Sequence, residues 1–112
     1  MALPKKYRLT DKSEIEKVFK KGRIINSSLF LIRFLSNHLV FSRFTVIVSS
    51  KISKKAVIRN RIKRRLKEII RLNILKIKPG YNFIVIAKPK ILNQKHNELT
   101  ELLVKELGRI TK

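Results

Sequence analysis

The chain has 112 residues and not one cysteine. That excludes a disulfide framework and a thiolate zinc site, and it fits a reducing, cytoplasmic setting. Acids are scarce: seven Asp and Glu stand against 28 Lys and Arg, a formal net charge of +21. Asp11, Glu14 and Glu16 fall in one predicted helix, Glu98, Glu101 and Glu106 in another, and Glu68 stands alone among cations. His38 reads as a turn residue and His96 as a residue near a helix start. A protein nuclease needs clustered carboxylates for metal, or a histidine base. No such cluster is legible, so no catalytic residue and no protein-held metal are expected, and Glu68 reads as half of an internal ion pair. Long apolar runs are missing as well. The longest, Phe83–Ala87, is far too short to span a membrane, and no signal-peptide run follows the basic start at Lys5, Lys6 and Arg8. There is no internal repeat and no low-complexity linker.

What is present begins with 44% hydrophobic residues, an ordinary share for a folded domain. A disordered basic tail would be apolar-poor. One domain over residues 1–112 is the expectation at this length. Its core is modest and its charge repels itself, so the partner-free chain is expected to be least stable at low salt.

The densest charge lies in Lys51–Arg71, KISKKAVIRNRIKRRLKEIIR, where ten Lys and Arg oppose one acid, a net +9 of the chain's +21. At about 100° per residue, Ile58, Ile62, Leu66, Ile69 and Ile70 share one arc. Asn60, Lys63, Arg64, Lys67 and Arg71 fall opposite, flanked by Arg61 and Arg65 on one side and Arg59 on the other. The result is an amphipathic helix with an apolar underside and a cationic top. Like charges at i,i+4, such as Lys63 and Lys67, destabilise a helix unless something neutralises them. A polyphosphate does so, releasing counterions as each cation settles on a phosphate. Arg adds forked contacts, and Asn can pair with a base or a 2′-hydroxyl. Solubility alone needs a net charge of roughly 2–8, so a merely solvated face is the weaker reading. So is a membrane surface, because the apolar side lacks the Trp and Phe of interfacial helices.

In chain order, Thr10 or Asp11 caps a helix to about Lys21, with Ile15, Val18 and Phe19 as its stripe and Gly22 as its stop. Arg23–Ser28 is polar connection with enough apolar content to open a strand. Leu29–Leu35 reads as a strand with Arg33 pointing out, Ser36–Leu39 as a turn, and Val40–Val48 as a second strand. Two runs this close predict an antiparallel pair. Ser49–Lys55 leads into the basic helix, Pro79-Gly80 marks a turn, and Asn82–Lys88 is a further strand. Leu99, Leu102, Leu103 and Leu107 mark a last helix with Gly108 at its C-cap. The fold class is α+β: one small sheet with packed helices, and the basic helix in a βαβ crossover.

The run Ala56-Val57-Ile58-Arg59-Asn60-Arg61-Ile62-Lys63-Arg64 resembles the Arg-Asn-Arg motif of the bacterial ribonuclease P protein subunit. Arg8-Leu9 with Glu16–Gly22 is similar to that family's first helix and its exit, Ser49-Ser50-Lys51 to its Ser-Lys-Lys strand end, and Gly80–Pro89 to its fourth strand. The resemblance runs over about residues 5–107. It implies the order α-β-β-β-α-β-α with a left-handed crossover, a rare hand. It implies binding to the catalytic RNA of ribonuclease P and to precursor tRNA, whose 5′ leader the RNA and its Mg²⁺ ions remove. On this view the protein is a subunit of an endoribonuclease, without chemistry, small-molecule substrate or metal of its own.

Matched by position, Arg59, Asn60, Arg61, Lys63, Arg64 and Lys67, with Lys51 and Lys55 before them, are expected to face the catalytic RNA. Phe19 and Phe30, with Ile15 and Arg33, are expected in the leader cleft, where a flat ring stacks on unpaired bases without reading them. The residues alone leave core or cleft open for Phe19 and Phe30. Ile15 stands where many members have a second aromatic. Arg33 stands where some have Tyr, either to stack as a cation or to grip a phosphate. Ser50 replaces one Lys of the Ser-Lys-Lys motif, and Ser53-Lys54-Lys55 lies where many members carry Gly. Composition alone fits a structural RNA-binding protein, such as a ribosomal protein, equally well. A helix-turn-helix DNA binder fits less well, because strand-like Phe44–Val48 precedes the basic helix.

Overall fold

Asp11 starts the first helix. Its carboxylate accepts from the Ser13 and Glu14 backbone N–H groups at 2.8 and 3.3 Å, which satisfies donors that have no partner inside the helix. From there the computed structural model, which describes residues 3–108, runs α1 (Lys12–Lys21), β1 (Arg23–Asn26), β2 (Phe30–Ser36), β3 (Arg43–Ile47), α2 (Ala56–Leu72), β4 (Tyr81–Ala87) and α3 (His96–Gly108). Short 3-10 turns lie at Lys5–Tyr7, Ile74–Lys76 and Pro89–Asn93. The order is the expected α-β-β-β-α-β-α. The predicted C-cap at Gly108 depends on residues beyond those described.

The four strands form one sheet in the order β1-β2-β4-β3. The predicted pairing of β2 with β3 does not occur. β4 inserts between them, antiparallel to β2 and parallel to β3. The reason is its composition. Asn82 to Val85 are buried in succession, so this strand needs cover on both faces and a neighbour on both edges. β3 therefore takes the outer edge and reaches β4 through the α2 crossover. It also starts later than expected, at Arg43, leaving Val40 92% exposed. The one polar side chain inside β4 is paired: Asn82 Oδ1 accepts from Asn37 Nδ2 at 3.0 Å and Arg43 Nε at 3.1 Å.

The strand period of two divides the sheet into two faces. On one, Phe30, Ile32, Phe34, Phe44, Val46, Phe83 and Val85 meet Ile62, Leu66, Ile69 and Ile70 of α2 and Leu99, Leu103 and Leu107 of α3. This is the main core, in which Phe44 and Phe83 stack at 5.2 Å between ring centroids. On the other, Ile84 meets Leu9 and Val18, with Ile15, Leu35, Ile47 and Ile86 packed around them. α1 thus covers the second face.

Gly22 ends α1 for a reason different from the one expected. Its φ is −74°, not left-handed. What requires glycine is proximity: a Cβ there would lie 2.3 Å from the Val18 carbonyl oxygen and 2.9 Å from that of Phe34. Both obstacles are backbone, so neither yields easily. Gly22→Ala should therefore cost about 1–3 kcal/mol, as overpacking does, and lower the urea midpoint followed by circular dichroism. An unchanged midpoint would mean that the helix end moves off β2 freely.

Candidate nucleic-acid interface

α2 presents its charge as its spacing predicts. Ile62, Leu66, Ile69 and Ile70 are buried, whereas Asn60, Arg61 and Arg64 are exposed and Lys63, Arg65 and Lys67 half-buried. Half-burial here is that of long side chains laying their stems on the surface with their charged ends in water. Nothing acidic lies in the first turn, and the N-cap, Lys55, makes no side-chain capping bond. The positive end of the helix dipole thus adds to the side-chain charge.

The loop before α2 is shaped by its own serines. Ser49 Oγ accepts from the Lys51 N–H at 3.3 Å, and Ser53 Oγ from the Lys55 N–H at 3.2 Å. Both lysine side chains are exposed. Arg59 is partly committed to this loop, its Nη1 donating to the Ser53 carbonyl at 2.9 Å. It is therefore a brace for the entry to α2 as well as a surface cation.

Glu68 forms the expected ion pair. Its Oε1 accepts from Arg71 Nε at 2.6 Å, one helical turn on. That hydrogen bond holds the Glu68 carboxyl below its ordinary range and pushes the Arg71 guanidinium up. A carboxylate lowered in the folded state contributes stability at neutral pH that is lost as pH falls through its lowered value. The carboxylate is therefore ionised at neutral pH.

On the other face of the sheet, the Arg33 guanidinium carbon lies 5.1 Å from the centre of the Phe19 ring, and Arg33 Nη1 donates to the Phe19 carbonyl at 3.2 Å. Arg33 thus stacks within the protein itself, on the Phe19 ring. Its Nε is buried without a protein partner. Phe19 remains 41% exposed, and Ile15 is half-buried against the small core. Phe30 requires a correction. It is fully buried in the main core, three places from Arg33 on β2 and so on the opposite face. Its ring is closed off under α2 and α3 and cannot stack on a base. The alternation Phe30, Ile32, Phe34 against Arg33 carried that information.

His96 lies at a helix start, as the sequence predicts, but its neighbours across the fold carry no sequence signal. It opens α3 and lines an open cleft with Arg61, Arg64, Arg65 and Glu68 of α2. No local signal links residues about thirty positions apart. Lys63 and Lys67 lie along the other flank of α2, by helical geometry. Among the described residues no group of three or more His, Cys, Asp and Glu comes together to hold a metal, and no helix is long and apolar enough to cross a membrane.

Known proteins resemble this chain in sequence and fold. A family model described as Ribonuclease P matches residues 3–111. The ribonuclease P protein component of Fusobacterium nucleatum subsp. nucleatum is 38% identical over 104 residues, 93% of each chain. That of Synechocystis sp. is 37% identical over 91 residues, 80% of this chain and 73% of the relative. Among solved structures, the RNase P protein from Thermotoga maritima superposes with a TM-score of 0.86 at 29% identity, covering 94% of this chain and 98% of that one. Since the family model takes in residues 3–111 and a relative 38% identical matches over 93% of the chain, this chain belongs to the ribonuclease P protein family.

Proposed function

We propose that this protein is the RNA-binding subunit of a ribonuclease P ribonucleoprotein. It holds the catalytic RNA on the cationic face of α2 and the 5′ leader of precursor tRNA beside Phe19. The observation that carries this reading is α2 itself, whose charge is gathered on one face while its apolar side is spent on the core. Such a face binds phosphates through counterion release. Asn60, Arg61, Lys63, Arg64 and Lys67 supply the outer contacts, Lys51 and Lys55 extend them toward the preceding loop, and Arg59 contributes while bracing that loop.

The leader side works differently. Arg33 stacks on one side of Phe19 and bonds its backbone, which orients the ring and leaves it partly open to solvent. A base stacked there gains contact without its sequence being read, which suits leaders of varied sequence. Ile15 and Arg33 form the wall of this site; Phe30 does not. The acids of the described residues form no metal cluster, so the Mg²⁺ of leader cleavage belongs to the RNA in this proposal, and no step of the hydrolysis is assigned to the protein.

Three measurements test this. Mixed with its cognate ribonuclease P RNA and a precursor tRNA at low Mg²⁺, the protein should accelerate release of the leader at the mature 5′ end, and protein alone should release none. RNA binding without any gain in cleavage, with an RNA active at high Mg²⁺, would favour a structural RNA-binding protein instead. Arg64→Ala should weaken RNA binding and flatten the plot of log affinity against log salt by about one unit; an unaltered slope would remove Arg64 from the phosphate-binding face. Phe19→Ala should cost roughly 1–3 kcal/mol of affinity for leader-bearing precursor and much less for leaderless tRNA. Equal losses would make Phe19 a packing residue.

A further inference from the structure

The cleft between α2 and α3 contains an acid where a simple phosphate track would have none. It is a shallow, open depression of about 280 Å³ lined by Arg61, Arg64, Arg65, Glu68 and His96. Three guanidinium groups offer forked donors to phosphate oxygens. The His96 backbone is tied into α3, its carbonyl accepting from Thr100 Oγ1 at 2.9 Å, and His96 is among the residues lining the cleft. Glu68 is held through one oxygen by Arg71 Nε at 2.6 Å, so its carboxylate is oriented rather than free to swing.

A phosphate backbone laid along this cleft would meet repulsion from Glu68. A single nucleotide splayed out of its stack would not. Its phosphate can meet the arginines while its base edge meets the carboxylate. Recognition of unpaired bases by their Watson–Crick edges and by stacking on rings such as imidazole is how proteins read RNA sequence. Among the four bases, guanine presents two adjacent N–H donors on that edge, its imino and amino groups, which match the two oxygens of a carboxylate. Adenine and cytosine place a ring acceptor beside their amino group. Uracil flanks its imino group with two carbonyls, which a carboxylate repels.

We propose that the α2–α3 cleft receives one unpaired guanine nucleotide of the partner RNA, its phosphate on Arg61, Arg64 and Arg65, its base edge on Glu68 and its ring against His96. This rests on the RNA-binding reading above. It makes Glu68 a specificity contact inside a cationic surface, and it brings α3 into the interface.

The test exploits opposite signs. If Glu68 only pairs with Arg71, Glu68→Gln removes a negative charge from the RNA-facing surface and should tighten binding. If Glu68 receives guanine, the same change replaces one acceptor oxygen with a donor. It should then weaken binding to the cognate ribonuclease P RNA about 5- to 100-fold, with an unaltered salt slope. Tighter or unchanged binding overturns the proposal. To separate a contact from a folding effect, 5′-GMP, 5′-AMP and 5′-UMP are titrated into the wild-type protein while the His96 ring and Arg71 Nε–H resonances are followed. GMP should shift both at lower concentration than AMP or UMP, and Glu68→Gln should erase that preference. Equal shifts from all three nucleotides would reduce the cleft to a phosphate site and overturn the assignment. Failure of the wild-type protein to bind the RNA at all would instead overturn the broader reading.

Discussion

The structure depends on how the underside of α2 is buried. Its cationic face gathers like charges at i,i+3 and i,i+4, among them Arg61 with Arg65 and Lys63 with Lys67. Each such pair costs a few tenths of a kcal/mol. Opposing them, Ile62, Leu66, Ile69 and Ile70 are buried, each contributing roughly 1.5–3 kcal/mol. The apolar term exceeds the repulsion several-fold, so the helix survives in water with its charge unneutralised. The cationic residues thus sit on the side of the helix that does not hold the fold together. Any change that loosens the underside would also misplace the cations.

The sheet repeats this division. One face closes against two helices and holds the main core. The other is covered by α1, with a small core beneath it and the Arg33–Phe19 contact beside it. Residues one place apart on β2 belong to different faces, so Phe30 serves packing and Arg33 serves the surface. Phe19 stands at the end of a helix stopped by Gly22, whose missing side chain lets α1 lie against the Phe34 carbonyl. That close approach fixes where the exposed ring sits relative to Arg33.

α3 is more than a cover for the core. Its buried leucines press against the sheet and α2, and that packing delivers His96 to the flank of α2 that carries Arg61 and Arg65. An edge of the cationic face thereby becomes a concave site with an oriented carboxylate in it. The two flanks of one helix therefore differ in shape, one meeting α3 at a cleft and the other facing away from it.

The sequence by itself determined what depends on short range. A cap at Thr10 or Asp11, the apolar and cationic arcs of α2 and an ion pair for Glu68 within its helix all follow from residues within a few positions of one another, where backbone geometry dictates which side chains meet. The motif around Arg59-Asn60-Arg61 carried the family as well. Only the tertiary structure decided which strands pair, which face of the sheet each aromatic faces, and which distant residues share a cleft. β4 separates β2 from β3 because the most apolar strand must be enclosed on every side, a demand that neighbouring strands cannot express locally. Phe30 lies in the core and Phe19 on the surface because two helices cover one face of the sheet and a different helix the other. His96 shares a cleft with Arg65 because α3 packs against α2. These are consequences of burying apolar surface over long sequence separations, where alternation and spacing along the chain no longer constrain the outcome.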